Sequence, residues 1–266
     1  MLKLGGELLE TPGRLATVAE SVVDAARAVP LIVAHGGGRE IDASLAGAGI
    51  PKRQVDGLRI TDEATLAVVV SVLAGSINTR FVAAINAAGG QAVGLTGADA
   101  GVGPVEPMPP YRTVAGDVVS LERVGQPIVD GTPFLLGHLL EGRYLPVVAS
   151  IGAARDGALY NVNADTLAAA LAARTGASRL VIAGASNGVL DASGRTIPAL
   201  DPAAESTLVR RGTINAGMLA KLHACRAALA AGVRDVIIIN GSDPRRLAEA
   251  AGGADGAGVD ATRIVP

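Results

Sequence analysis

Two lysines in glycine-rich surroundings stand near opposite ends of this sequence. Lys3 begins the segment KLGG, and Lys221 lies in GTINAGMLAKLHA at residues 212–224. The chain has only one further lysine, Lys52. A compact, mobile ammonium group suits a site where a phosphoryl group changes position, whereas a guanidinium is a rigid planar fork. Taken alone, KLGG also fits a tight turn beside a surface lysine.

Three consecutive glycines, Gly36–Gly38, follow the apolar run PLIVAH. Consecutive glycines before a helix provide a group of backbone N–H donors with the helix dipole behind them, which suits an anionic oxygen. The pattern is neither a GxGxxG fingerprint nor a P-loop. A flexible loop is the alternative interpretation. His35, directly before the glycines, is predicted to be a core or supporting residue rather than a catalytic base.

Two further segments carry polar side chains that could bind a substrate. DGLRITD at residues 56–62 is predicted to hold Arg59 in a turn before a helix, and arginine matches a carboxylate with two parallel hydrogen bonds. A solvated arginine is the alternative. In NVNAD, the side chains of Asn161, Asn163 and Asp165 face one way if the segment is extended. A helix N-cap explains one of these three residues but not all of them.

Several familiar catalytic patterns are missing from the sequence. It contains no GxSxG, CxxC or HExxH segment and only three histidines. The single cysteine, Cys225, excludes an intramolecular disulfide and a cysteine-cluster metal site. Glycine-rich loops, two lysines, an arginine and an aspartate instead match phosphoryl transfer, where positioning and charge neutralisation supply most of the catalysis.

Composition narrows the classes of partner. The chain has 266 residues, a net charge of −2, 49% hydrophobic residues and 2% aromatic residues. The balanced charge and scarce aromatics argue against nucleic-acid binding. No apolar stretch is expected to span a membrane, and LAVVVSVLAG at residues 66–75 is predicted to be a buried helix. Because the N-terminus already looks like a strand and turn, no signal peptide is expected, and the predicted location is the cytoplasm.

Short β-branched runs alternate with longer Ala- and Leu-rich stretches. This order predicts a three-layer αβα sandwich with an open, mainly parallel central sheet. Small or polar loops follow several strands, and in a parallel sheet these loops meet at one edge, where ligands bind. The predicted strands are 1–4, 31–35, 91–95, 144–150, 179–185, 235–241 and 261–265. The predicted helices are 12–28, 62–89, 131–141, 164–175, 203–211, 216–231 and 243–251, with a hairpin-rich patch at 104–124 and a loop at 252–258.

In order, the segments KLGG, HGGG, GLRITD, INAAGGQAVGLTGAD, YLPVVASIG, NVNAD, NGVLD and GTINAGMLAKLHA resemble the acetylglutamate kinases of the amino-acid kinase superfamily. The resemblance covers nearly the whole chain. It implies the amino-acid kinase fold, with an N-terminal lobe at 1–152 for acyl-amino-acid binding and dimerisation and a C-terminal lobe at 153–266 for ATP. The implied reaction is ATP-dependent phosphorylation of the side-chain carboxylate of N-acetyl-L-glutamate, a step of arginine biosynthesis.

The resemblance also implies roles for individual residues. Lys3 and Lys221 would stabilise the transferring phosphoryl group from two sides, and Asp165 would orient both lysines. Mg²⁺ would arrive with the nucleotide, and no residue is expected to form a metal site of its own. The implied substrate-binding residues are Gly6, Gly37, Gly38, Arg59, Asn161 and Asn163. The implied nucleotide-binding residues are Ala185, Gly188, Leu190, Thr213, Ile214 and Asn215.

The sequence departs from the family pattern mainly in its nucleotide half. GASNGVLD places Gly184 and Ala185 where the family has a hydroxyl residue and an aspartate. Asn78-Thr79 replaces a family NK, and GADAG at 97–101 replaces GKDG. Two alternatives therefore stay open: a kinase for another N-acyl or carrier-linked acidic amino acid, and a non-catalytic regulatory protein with a degraded nucleotide site. Because Lys3 stands so near the start, we expect a homodimer, paired through its N-terminal lobe and insensitive to arginine.

Overall fold

The computed structural model describes residues 1–113, 115–253 and 261–266. Eight strands form one sheet. Neighbouring strands pair in parallel, except that the final strand pairs antiparallel with the strand 235–240. In chain order the strands are β1 (Leu2–Leu4), β2 (Val33–His35), β3 (Gln54–Val55), β4 (Leu58–Arg59), β5 (Ala92–Thr96), β6 (Val105–Pro107), β7 (Tyr111–Arg112), β8 (Val118–Val119), β9 (Gly125–Pro127), β10 (Leu145–Ala149), β11 (Ile151–Ala153), β12 (Leu159–Asn161), β13 (Arg179–Gly184), β14 (Ala199–Leu200), β15 (Asp235–Asn240) and β16 (Ala261–Ile264). The order across the sheet is β14-β16-β15-β13-β1-β2-β10-β5.

Helices cover both faces of this sheet. In chain order they are α1 (Pro12–Ala28), α2 (Gly38–Gly47), α3 (Glu63–Val70), α4 (Thr79–Ala87), α5 (Phe134–Glu141), α6 (Ala164–Arg174), α7 (Pro202–Arg210), α8 (Ala216–Ala230) and α9 (Pro244–Ala251). The predicted helices are thus present, with ends shifted by a few residues. The predicted loop at 252–258 lies mostly outside the described residues.

Alternate residues of the central strands enter different cores, because successive side chains of a strand point to opposite faces. In β10, Val147 and Ala149 pack into a core with α1, α4 and α9. Val148, between them, joins a second core with α5 and α6. A third core lies beneath α8 and also includes residues of α6. The predicted three-layer αβα sandwich with a mainly parallel sheet is therefore confirmed.

One long helix corrects a sequence expectation. A π-helical segment, Ser71–Asn78, joins α3 to α4, so that the helix runs continuously over Glu63–Ala87. Its 25 residues are long and apolar enough to cross a membrane by length and composition, although no stretch of that length was expected. Side chains including Leu73, Ile77 and Phe81 nevertheless pack in the core against the sheet. The expected buried helix at 66–75 is thus buried on one side only.

The segments beyond the carboxyl ends of the central strands fold as small hairpins. β3 pairs with β4, β6 with β9, β7 with β8, and β11 with β12, all antiparallel. The hairpin-rich patch predicted at 104–124 is therefore confirmed. Arg59 lies in strand β4 rather than in the predicted turn, and the helix starts only at Glu63. The β11–β12 hairpin was not predicted, because its strands are too short to show a period in the sequence.

His35 is fully buried at the end of β2. Its Nε2 lies 3.0 Å from the Asn78 side-chain nitrogen, which also donates to the Val147 carbonyl at 3.0 Å. Its Nδ1 lies 3.2 Å from the Gly36 carbonyl. Burial lowers the pKa of His35 to about 4, even though the Gly36 carbonyl opposes the shift. His35 is therefore a neutral core residue, as predicted, and it ties the long helix to the glycine loop.

We expect His35 to make the free energy of unfolding depend on pH. Because the folded pKa is about 4 and the ordinary value is 6.5, the unfolded chain binds a proton that the folded chain excludes. Stability should therefore fall by roughly 3 kcal/mol as the pH drops from about 6.5 to about 4. Urea unfolding across this range tests the expectation. His35→Gln should flatten the slope and the exposed His223→Gln should keep it; an unchanged slope in His35→Gln would contradict the assignment.

Candidate active site

A cavity of about 410 Å³ opens at the carboxyl ends of β1, β2 and β10. This is the edge where parallel sheets bind ligands and where the sequence predicted the loops to meet. The cavity brings together residues from segments more than a hundred positions apart. Among the predicted site residues, those that line it are Lys3, Gly6, Gly37, Gly38, Arg59, Asn161, Asn163 and Asp165.

Lys3 and Asp165, which line this cavity, meet a third charged side chain, Lys221, which is not among the lining residues. Lys3 projects from β1, and its Nζ lies 2.8 Å from Oδ1 of Asp165 in the first turn of α6. Lys221 reaches the same carboxylate from α8, with Nζ at 3.1 Å from Oδ2 and 3.2 Å from Oδ1. Lys3 and Asp165 are each only 7% exposed. The structure thus places the two ammonium groups on either side of one buried carboxylate.

The three charges of this triad, together with burial, shift the pKa values of its members in different directions. Burial opposes ionisation of Asp165, but the two lysines outweigh it and lower the pKa of Asp165 to about 2. Burial likewise disfavours the Lys3 ammonium, yet Asp165 raises the pKa of Lys3 above its ordinary value. For Lys221, burial and the positive charge of Lys3 together lower the pKa. The triad carries a net charge of +1, so an anion is the ligand it favours.

The glycines of this edge allow two loops to touch. A Cβ on Gly6 would lie 2.7 Å from Cα of Gly37, and a Cβ on Gly37 would overlap Ile77 of the long helix. Gly37 has an extended φ of −171°, so close approach rather than backbone strain requires glycine here. Helix α2 begins at Gly38, and no side chain caps its N-terminus. Its first N–H groups therefore border the cavity, as the triple glycine predicted.

Arg59 also lines the cavity, and one of its nitrogens is unpaired. Its Nη2 contacts Asp42 and the Gly38 carbonyl. Its Nη1 is buried and has no hydrogen-bond partner. Because an unpaired buried donor is costly, Nη1 favours a ligand with an acceptor oxygen. Lys52 also borders the cavity, where its Nζ lies 2.8 Å from Asp42.

The NVNAD segment lines the cavity, but not as an extended strand. Asn161 ends β12, and its side-chain nitrogen donates to the Thr61 hydroxyl at 3.1 Å. Asn163 is the N-cap of α6, where its oxygen accepts from the N–H groups of Asp165 and Thr166 at 2.9 and 3.2 Å. The segment is therefore extended only as far as Asn163 and helical from Ala164 onward. A strand that turns directly into a helix still directs all three predicted side chains to the cavity.

The six predicted nucleotide-binding residues lie outside the residues that line this cavity. Ala185, Gly188 and Leu190 follow the end of β13, which neighbours β1 in the sheet. Gly188 has a φ of +78°, and a Cβ there would lie 2.5 Å from the Thr262 hydroxyl. Thr213, Ile214 and Asn215 lead into α8, the helix that carries Lys221.

Asn215 already has a structural role, since its side chain caps α8 by accepting the Met218 N–H at 2.8 Å. Ile214 packs partly against the core beneath α8. The segment therefore fixes the start of the helix that presents Lys221. The assignment of all six residues to nucleotide binding remains a prediction.

Glu7 is a cavity residue that the sequence analysis missed. It follows KLGG directly, in a 3-10 turn at Gly6–Leu8. Its carboxylate accepts the N–H of Ala185 at 3.1 Å, across 178 positions of sequence. An acidic residue immediately after a glycine pair was the available signal, but its partner at the end of β13 could only be known from the fold.

Comparison with known proteins agrees with this geometry. The chain matches the amino acid kinase family over residues 1–240 and belongs to that family, and together with the relatives that follow this identifies it as a kinase. It is 40% identical over 256 residues to the acetylglutamate kinase of Sphingopyxis alaskensis, covering 93% of this chain and 83% of that protein. It is 42% identical over 223 residues to the acetylglutamate kinase of Brucella canis, covering 81% and 74%. The predicted family is therefore confirmed.

Solved structures share the fold at lower identity. The N-acetylglutamate synthase of Neisseria gonorrhoeae, complexed with coenzyme A and N-acetyl-glutamate, matches all of this chain and 58% of its own, with a TM-score of 0.81 and 23% identity. The protein smu.665 of Streptococcus mutans matches 90% of this chain and 93% of its own, with a TM-score of 0.75 and 24% identity. The predicted amino-acid kinase fold is confirmed.

We expect Asp165 to be required for stability at neutral pH. Asp165→Asn would leave two buried ammonium groups without a counter-charge, which should lower the free energy of unfolding by about 3–5 kcal/mol. Urea unfolding at pH 7 measures this loss. The triple variant Lys3→Met/Asp165→Leu/Lys221→Met removes every charge and should be more stable than Asp165→Asn. Wild-type stability in Asp165→Asn would show that the triad is not electrostatically coupled.

Proposed function

We propose that the protein uses ATP to phosphorylate the side-chain carboxylate of N-acetyl-L-glutamate, yielding N-acetyl-L-glutamyl 5-phosphate in arginine biosynthesis. One observation supports this most directly: ammonium groups from both ends of the chain meet on a buried carboxylate, beside a glycine-lined cavity. The identity of about 40% to acetylglutamate kinases supports the choice of substrate.

In this proposal Lys3 and Lys221 act on the transferring phosphoryl group. Its equatorial oxygens carry negative charge in the transition state, and fixed cations on two sides stabilise that charge without reorganising. Asp165 is a positioning residue, because its ion pairs hold both ammonium groups at one place. The N–H groups near Gly6, Gly37 and Gly38 provide further donors for the phosphoryl oxygens and for the acyl-amino acid.

The acyl-amino acid occupies the cavity between the triad and Arg59. The unpaired Nη1 of Arg59 supports a role in holding the α-carboxylate. Asn161 and Asn163 line the side of the cavity and are proposed to contact the amide region of the substrate. With its α-carboxylate at Arg59, the substrate is proposed to extend its side chain toward Lys3 and the triad.

No general base is needed in this mechanism. The attacking oxygen belongs to a substrate carboxylate, which is already ionised at neutral pH. His35 is buried, and its pKa of about 4 leaves it neutral and hydrogen-bonded to Asn78. The reaction therefore depends on positioning and charge stabilisation rather than on proton transfer.

ATP is proposed to bind along the ends of β13 and the start of α8, next to the acyl-amino-acid cavity. Lobes at 1–152 and 153–266, with the acyl site in the first and the nucleotide in the second, are part of this proposal. The predicted contacts are Ala185, Gly188, Leu190, Thr213, Ile214 and Asn215. Among the described residues no group of three or more His, Cys, Asp or Glu could hold a metal ion. Mg²⁺ would therefore be held chiefly by phosphates and water, and it would neutralise phosphate charge.

A coupled assay of ADP release tests the function. Purified protein is given N-acetyl-L-glutamate, N-succinyl-L-glutamate, N-acetyl-L-aspartate or no acceptor. We expect release that depends on N-acetyl-L-glutamate. A preference for another acyl amino acid would favour a kinase of related specificity. Absence of acceptor-dependent release with every substrate would favour a regulatory protein.

Lys221→Ala should lower kcat by about 10²–10³-fold or more, because it deletes one charge-stabilising donor of the transition state. Steady-state kinetics at saturating ATP and acceptor measure the change. The matched control is Lys52→Ala, which removes the lysine of the cavity that lies outside the triad and should retain much more turnover. Near-wild-type kcat in Lys221→Ala would remove Lys221 from the mechanism.

Arg59→Lys should raise KM for N-acetyl-L-glutamate by about 10–100-fold and change kcat much less. The lysine keeps a positive charge but loses the paired donors that match a carboxylate. The neighbouring Arg53→Lys, on an arginine paired with Glu122, is the control. An unchanged KM in Arg59→Lys would place the α-carboxylate elsewhere.

We also propose a cytoplasmic homodimer paired through the long helix of the N-terminal lobe. Between Glu63 and Arg80 this helix carries no charged residue, and only 39% of its most apolar 18-residue stretch is buried within the chain. Its exposed positions hold small residues, including Ala67, Ser71 and Gly75. A small, uncharged face of this kind can pack closely against a second copy.

Light scattering should give the mass of two chains, with no change when arginine is added. Ala67→Arg, in the exposed face of the long helix, should shift the mass toward one chain because it buries an unpaired charge at the interface. Ala227→Arg, at an exposed position of α8, should leave the dimer intact. A wild-type monomer or a hexamer would contradict this assembly.

A further inference from the structure

Glu7 lies where the two halves of the proposed reaction meet. Its Oε1 accepts the N–H of Ala185, the first residue after β13, at 3.1 Å. Lys3, four positions earlier in the sequence, is close enough for the charge of Glu7 to help raise its pKa, together with the larger effect of Asp165. The half-buried carboxylate therefore stands between the lysine of β1 and the segment proposed for the nucleotide.

Glycines on two adjacent strands make room for this carboxylate. A Cβ on Gly5, at the end of β1, would overlap the carboxylate group of Glu7. A Cβ on Gly184, at the end of β13, would lie 3.2 Å from its Oε1. The glutamate carboxylate thus lies close to the ends of both strands, where it accepts the Ala185 N–H.

A carboxylate at this place changes the charge of the site. Lys3 and Lys221 contribute two positive charges, and Asp165 with Glu7 contributes two negative charges. The charges of these four side chains therefore cancel, whereas the phosphates of ATP carry several negative charges. A carboxylate facing them is repelled unless a cation lies between, and Mg²⁺ commonly combines one or two carboxylates with phosphate oxygens and water.

We propose that Glu7 is a ligand, directly or through one water, of the Mg²⁺ that accompanies the nucleotide. This inference rests on the proposed use of ATP but not on the identity of the acyl-amino acid. The described residues hold no group of three or more His, Cys, Asp or Glu that could hold a metal ion, so in this proposal the phosphates supply the remaining ligands. The Ala185 N–H orients one carboxylate oxygen, and Oε2 is the one that meets the metal.

A different role for Glu7 predicts the opposite effects. Suppose that the Glu7 carboxylate only accepts the Ala185 N–H until a phosphate displaces the carboxylate. Removing the charge of Glu7 would then strengthen binding of every form of the nucleotide. A metal ligand instead strengthens binding of the magnesium complex alone. Comparing nucleotide affinity with and without Mg²⁺ therefore separates the two roles.

The experiment is calorimetric titration of ATP into the protein, in Mg²⁺ and in EDTA, without acceptor substrate. Glu7→Gln keeps the shape and hydrogen-bonding oxygen but removes the charge. We expect its affinity for MgATP to fall by about tenfold or more, while metal-free ATP binds as in the wild type or more tightly. Glu20→Gln, on the exposed side of α1, should match the wild type in both buffers.

A second readout does not depend on ATP affinity. Electron paramagnetic resonance of Mn²⁺ titrated into the protein–ADP complex should show weaker metal binding in Glu7→Gln than in Glu20→Gln. Equal Mn²⁺ affinity in the two variants, or tighter MgATP binding by Glu7→Gln, would overturn the proposal. Because no acyl-amino acid is present, a protein that fails as an acetylglutamate kinase but binds MgATP still gives a clear answer.

Discussion

A single buried carboxylate between two ammonium groups organises the site. Asp165 accepts contacts from Lys3 and Lys221 within about 3 Å, with little exposure to water. Buried ion pairs are poor stabilisers compared with packed apolar groups, because both charges lose their hydration. This triad also has one positive charge more than it can neutralise. Such an arrangement is best explained by the anion that it binds.

The order of the strands is what makes this interaction possible. β1, the first strand, lies between β2 and β13 in the middle of the sheet, so Lys3 reaches the centre of the ligand-binding edge. Helix α6 directs Asp165 to the same point, and α8 brings Lys221 from the last third of the chain. The glycine loops after β1 and β2 touch through Gly6 and Gly37. A side chain on Gly6 would force the two loops apart, and one on Gly37 would push the glycine loop away from Ile77 of the long helix.

Much of this could be predicted from the sequence, because parallel strands bring their following loops to one edge. That rule and the family resemblance together predict that Lys3, Asp165 and Lys221 share one site. Local geometry was less predictable. Arg59 lies in a two-residue strand too short to give a periodic signal. The role of Glu7 could not be predicted, because its partner Ala185 is distant in sequence and donates through its backbone, which no residue type reveals.

The account depends on both lysines contacting one phosphoryl group. The most direct measurement is a crystal structure of the protein with MgADP, N-acetyl-L-glutamate and aluminium fluoride, a planar mimic of the group in transfer. We predict Nζ of Lys3 and Nζ of Lys221 each within about 3 Å of fluoride atoms, with the substrate carboxylate in line on one face. An aluminium fluoride group contacted by only one of the two lysines, or bound away from Asp165, would contradict the central claim.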